Sequence, residues 1–144
     1  MAGSEKLYTP ELLALAVSLA DYPPDPALAL HGEARSKSCG STLAMDLAAD
    51  GEGRIERLGM RVRACAVGQA SAAIFAREAT RHRLADIEAA HALLTQWLAG
   101  SGDLPAWPGI EAIAPARAYP ARHGAIMLPW TAARDALSSA APAG

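Results

Sequence analysis

The stretch Thr42–Val62, TLAMDLAADGEGRIERLGMRV, decides the fold class. Leu43, Met45 and Leu47 alternate with Thr42, Ala44 and Asp46; further on, Leu58, Met60 and Val62 alternate with Arg57, Arg61 and Arg63. A period of two is that of a half-buried strand, and the DGEG between the runs supplies turn residues. The pattern predicts a β-hairpin, out along 42–49 and back along 55–64, with one buried face and one wet face. Met45 and Met60 fall on the buried side.

Directly after the return strand comes RVRACAVGQASAA, 61–73, and the period becomes helical. Ala70, Ile74 and Phe75 share one side of a helix expected from Val67 to about His82. Cys65 therefore stands at a helix N-terminus, where unpaired N–H groups favour a thiolate. A small buried hydrophobe is the competing reading of that cysteine. The other cysteine, Cys39, sits in SKSCGS, a polar loop that follows a short edge strand in HGEAR and precedes the outgoing hairpin strand. Antiparallel pairing of the hairpin brings the chain at Cys65 back beside the start of that strand. Both thiols are thus expected at one end of a three-stranded antiparallel sheet.

Around this centre the chain reads as helical. In YTPELLALAVSLA, Thr9 is a good N-cap, Pro10 fits the first helical position, and Glu11 complements the dipole. DYPPDPA ends that helix. A further helix runs from about Leu84 to Ala99 with Ile87, Ala90, Leu94 and Leu98 as its apolar stripe, and a last one from about Ala125 to Ser138. IEAI suggests a helical turn and APARAYPARHG an irregular segment. Helix, three strands, then helices make an α+β domain, with an N-terminal helix, C-terminal helices, and helices packed on one face of the sheet.

The 144 residues are 51% hydrophobic and 19% charged with net charge −2. That suits one globular domain, 1–144, long enough to bury a core. Nothing resembles the basic footprint of a nucleic-acid binder, and Arg77, Arg81, His82 and Arg83 read as a solvated helix face. The most apolar run, LLALAVSLA, is too short to cross a bilayer, and no secretory signal precedes it. A cytoplasmic protein without nucleic-acid or membrane partners is expected, its cysteines free thiols or ligands rather than a disulfide. Two thiols do not complete a site, since structural zinc takes four protein ligands and a [2Fe–2S] cluster is usually held by four thiolates. Ser41 is a poor ligand. His31 and His123 lie in irregular segments within reach, whereas His82 and His91 lie on helices and read as surface or packing.

The order of these pieces resembles the NifU/IscU/SufU family of iron–sulfur cluster assembly proteins, and the SufU branch most of all. The family has a Cys-Gly-Asp loop before a strand, a strand beginning Ile-Glu, and a Gly-Cys-Ala-Ile-x-x-Ala-Ser segment opening a helix. The matching residues are Cys39-Gly40-Ser41, Ile55-Glu56 and Ala64 to Ser71. The SufU segment Arg-x-Lys-Cys-Ala-x-Leu-x-Trp is matched by RHGAIMLPW, with Arg122, Leu128 and Trp130 in place. Ala64 replaces a glycine, Ser41 the aspartate, and Ala125 the third cysteine, so two of the usual four metal ligands are absent.

The resemblance implies a single NifU N-terminal/IscU-like domain. It implies a scaffold or sulfur carrier rather than a turnover enzyme. Cys39 and Cys65 would hold an iron–sulfur cluster or zinc, completed by His123 or by a second copy in a homo-oligomer. Cys65, or Cys39, would accept persulfide sulfur. The implied partners are a cysteine desulfurase and cluster-accepting proteins. The alternative is a SufU-like module, metal-free as isolated, that docks a desulfurase or another partner without catalysis.

Overall fold

The computed structural model describes residues 7–37 and 40–140. Cys39, with Ser38, lies outside the described residues. Strands β1 (Leu30–Arg35), β2 (Thr42–Ala49) and β3 (Ile55–Arg63) form an antiparallel sheet in the order β1-β2-β3. The register sets Leu43 opposite Val62, Met45 opposite Met60 and Leu47 opposite Leu58. Leu43, Met45, Leu47 and Met60 are buried on the inner face, which is the alternation expected of 42–62. Asp50 closes the turn: its carboxylate accepts hydrogen bonds from the backbone N–H groups of Glu52 and Arg54, each at 2.9 Å. The Arg54 N–H is the largest influence holding the Asp50 carboxyl below its ordinary pKa.

Helix α1 (Pro10–Ser18) starts as its sequence dictates, with Thr9 Oγ1 accepting from the Leu12 N–H at 3.1 Å. The other long helices are α2 (Ala66–Glu78), α3 (Leu84–Leu98) and α4 (His123–Ala140). The segments expected as a helical turn and an irregular run are 3₁₀ helices, Ile110–Ala118 and Pro120–Arg122. Helix α4 lies on the inner face of β1 and β2, while α2 packs on α4 and α1, and α3 packs on α4.

Gly32 permits the closest of these approaches. A Cβ there would come within 2.1 Å of the Ala132 carbonyl oxygen and 2.9 Å of the Ala136 Cβ. Enclosed by other elements, α2 is buried nearly all round from Val67 to Ala76, Gln69 excepted, rather than along one stripe. Phe75, Trp107 and Trp130 form an aromatic cluster with neighbouring ring centroids 5.3 Å apart. The Trp107 indole donates to the Ile74 carbonyl at 3.0 Å.

Two expectations need correction. Helix α2 stops at Glu78 rather than near His82, because the backbone there pairs with β3 instead. The Arg81 N–H donates to the Ile55 carbonyl at 2.8 Å, the Ile55 N–H donates to the His82 carbonyl at 3.0 Å, and Arg81 adopts φ +76°. Arg81, His82 and Arg83 are therefore connector residues, not a helix face, and the His82 ring stacks on Trp107 at 4.8 Å. Nor is the outer sheet face wholly wet. The proline segment crosses it at Gly59, where a Cβ would meet the Pro23 carbonyl oxygen at 2.1 Å. The Asp25 N–H donates to Asp46 Oδ2 at 2.9 Å, and the Met60 N–H donates to the Tyr22 carbonyl at 3.0 Å. Among the described residues no helix is long and apolar enough to cross a membrane.

Candidate functional site

Thr42 pairs with Arg63 and also with Arg35. One end of the sheet therefore carries both the β1–β2 loop, 36–41, and the exit from β3 into Cys65. The loop is closed by the Ser36 N–H donating to the Ser41 carbonyl at 2.8 Å and the Gly40 N–H donating to the Ser36 carbonyl at 3.0 Å. Gly40 has φ +71°, a left-handed conformation that a residue without Cβ adopts at no steric cost. Ser41 is buried. This loop, on both sides of the undescribed Cys39, stands at the Cys65 end, as the hairpin pattern requires.

Cys65 is the N-cap of α2, in extended conformation (φ −65°, ψ 172°), and its side chain makes no capping hydrogen bond. It is a free, half-buried thiol packed against the edge of the core. Its carbonyl accepts the first α2 hydrogen bond, from the Gln69 N–H at 3.0 Å, and Gln69 Nε2 donates to the Ala64 carbonyl at 2.9 Å. The turn into the helix is thus fixed from both sides while the sulfur stays uncommitted.

Ala125, fully buried in the first turns of α4, comes to the same place. A Cβ on Gly68 would lie 2.7 Å from the Ala64 Cβ and 3.1 Å from the Ala125 Cβ. The contact is held by Ser71, whose hydroxyl donates to the Ile126 carbonyl at 2.7 Å in the core. Pro129 lies inside α4. Without an N–H, Pro129 cannot donate the helical hydrogen bond to the Ala125 carbonyl.

His31 stands apart from Cys65. His31 is on the outer sheet face, opposite Asp46, and its Nδ1 is 2.7 Å from Asp46 Oδ1. That row is four residues from Arg35, about 13 Å along the strand. His123 opens α4, and its Nε2 is 2.7 Å from the Arg117 carbonyl, so this nitrogen acts as a donor to backbone. Arg122 reaches the Tyr8 hydroxyl at 3.3 Å. Among the described residues no three His, Cys, Asp or Glu side chains converge as a metal-binding group. The outer face also holds something the sequence reading passed over, a set of arginines beside the loop; their alternation in β3 was the available signal.

No family model matches the chain, and no curated protein matches it. Solved structures do. A nitrogen-fixing NifU-like protein (N-terminal) from Brucella abortus superposes with a TM-score of 0.86 at 25% identity, covering 96% of this chain and 99% of that one. A protein described as an iron–sulfur cluster assembly scaffold for the SUF system, from Fervidobacterium islandicum AW-1, gives 0.81 at 18% identity, covering 93% and 98%. A hypothetical protein gives 0.65 at 14%, covering 88% and 96%. The chain shares the fold of these NifU-like and SufU structures over nearly its whole length.

Proposed function

We propose that this protein is a divergent iron–sulfur cluster assembly scaffold-like protein that holds sulfur, or iron and nascent cluster as cargo, through Cys39 and Cys65. The observation that carries the reading is Cys65 capping α2 at the sheet end where the β1–β2 loop closes, with the α4 residue at the family's third-cysteine position against the same helix turn. The full-length likeness to the NifU-like protein supports it.

The described donors do not complete a zinc site within one chain. Ala125 offers no ligand atom, Ser41 replaces a carboxylate, and His31 lies on another row of the outer face. The chemistry left to Cys65 is sulfur transfer. Its thiolate attacks the terminal sulfur of a desulfurase persulfide, the S–S bond of the donor breaks, the donor leaves as a thiolate, and Cys65 becomes the persulfide. A cysteine desulfurase would be the donor and a cluster-accepting protein the recipient.

The buried Ala125 favours a second reading, a module that docks a desulfurase without catalysis. Incubation with a desulfurase and cysteine, followed by mass spectrometry of the alkylated protein, separates the two. An added sulfur on Cys65 or Cys39, lost in Cys65→Ser with Cys39→Ser, supports the carrier. A stable complex with no sulfur on either residue sinks it and leaves the docking module.

A further inference from the structure

The proline segment covers the outer sheet face at the Asp46–Gly59 row and reaches Arg57 on the side away from Cys65. Toward the Cys65 end the face is open. There Arg35, Thr42 and Arg63 form one cross-strand row and Glu33, Ala44 and Arg61 the next. These six residues line a shallow depression of about 460 Å³. Arg35, Arg61 and Arg63 are exposed, as is Lys37 in the adjoining loop. None of the four makes an ion pair with another described residue. The remaining outer-face arginine, Arg57, differs: it pairs with Asp25 at 3.5 Å. Three unpaired guanidiniums around the small side chains of Ala44 and Thr42, in a chain of net charge −2, form a local positive field with one carboxylate, Glu33, inside it.

We propose that this face docks an acidic polypeptide segment of a partner protein. Adjacent strands are about 4.8 Å apart and alternate residues of one strand about 6.7 Å apart. The guanidiniums are thus anchored across two strand spacings, wider than one small anion, and their interval along β3 matches carboxylates at alternate positions of an extended chain. Guanidinium forks pair with carboxylates bidentately. The flat floor of Thr42 and Ala44 lets a backbone come close. Nucleic acid is disfavoured, since the rows hold no aromatic side chain for base stacking and the rest of the chain is acidic. A segment seated here lies beside the loop and Cys65. The role of such a partner as sulfur donor or cluster recipient rests on the function proposed above, whereas the surface itself is read from its charge.

The test is fluorescence anisotropy with a labelled peptide of alternating glutamate and alanine. The unmodified protein should bind it, more weakly as salt rises. Arg35→Gln with Arg61→Gln and Arg63→Gln should weaken binding by roughly tenfold or more, whereas Arg77→Gln, an exposed arginine of α2, should leave it unchanged. Glu33→Gln should tighten binding, a gain that misfolding cannot mimic. Unchanged affinity in the triple variant together with no gain in Glu33→Gln overturns the proposal. Tighter binding of a DNA oligonucleotide, lost in the triple variant, overturns it in favour of nucleic acid. Full displacement by equimolar inorganic phosphate reassigns the face to a small anion. None of these readings depends on sulfur loading at Cys65, so failure of one proposal is distinguishable from failure of the other.

Discussion

Ala125 lies against Gly68, with a Cβ-to-Cβ separation of only 3.1 Å were Gly68 to carry one, and Gly68 is three residues into the helix that Cys65 caps. Residues 57 apart in the chain thus meet at the first turn of α2. That relationship joins the hairpin half of the protein to its C-terminal helix at the end where sulfur chemistry is proposed.

If that proximity is as close as the packing implies, restoring the two absent donors should build a metal site. Ser41→Asp with Ala125→Cys should bind zinc tightly, where the unmodified protein binds it weakly or not at all. Each single change should gain less than the pair, because ligands on one ion are coupled. Chelator competition across the four proteins reads this. No gain in the double variant would mean that position 125 does not reach the ion held by the cysteines.

Gly32→Ala should destabilise the fold by about 3 kcal/mol. The added methyl meets the Ala132 carbonyl oxygen, a backbone atom of α4 that cannot swing aside. Gly51→Ala, in the hairpin turn with nothing within 4 Å, serves as the control and should be near neutral. Urea denaturation of both variants gives the comparison, and equal midpoints would contradict the α4–β1 packing.

Ser71→Ala should cost about 1–3 kcal/mol. Ser71 is fully buried, and its loss leaves the Ile126 carbonyl without the hydroxyl that now bonds it at 2.7 Å. Ser71→Thr, which keeps the hydroxyl but adds a methyl, should also destabilise, here by overpacking. Thermal unfolding measures both; an Ala variant as stable as the parent would show that the hydrogen bond contributes nothing net.

Stability should fall on mild acidification because of His91. Burial first, and then the Arg134 charge, lower its pKa from the ordinary 6.5. The geometry agrees: Arg134, a donor only, approaches Nδ1 at 3.4 Å, so the neutral ring keeps its proton on Nε2, 3.1 Å from Thr131 Oγ1. With the folded pKa below the unfolded one, the unfolded chain takes up the proton first. This contribution is fully present above about pH 6.5 and is lost as pH falls through the folded pKa. His91→Gln should flatten that part of the stability–pH curve, followed by urea unfolding at a series of pH values. A slope unchanged by the substitution would place the titration elsewhere.

The sequence alone was enough for whatever rests on local periodicity. The alternation in 42–62 named the hairpin, its buried face and its turn, because a strand's faces repeat every two residues whatever surrounds it. Thr9-Pro10 likewise marked the start of α1 through capping that is satisfied within one turn. From these followed the placement of the β1–β2 loop and Cys65 at one sheet end. What the tertiary structure decided was non-local. Helix α2 ends at Glu78 because Ile55 takes the backbone groups of Arg81 and His82. His31 is removed from the candidate ligands because the β1–β2 register sets it against Asp46. The outer face is divided, covered at Gly59 and open at Arg61 and Arg63, by a proline segment docking across strands far from it in sequence. No periodicity encodes such contacts. They arise where distant backbones meet at glycines and where buried polar groups must find partners, and both depend on the whole chain being folded.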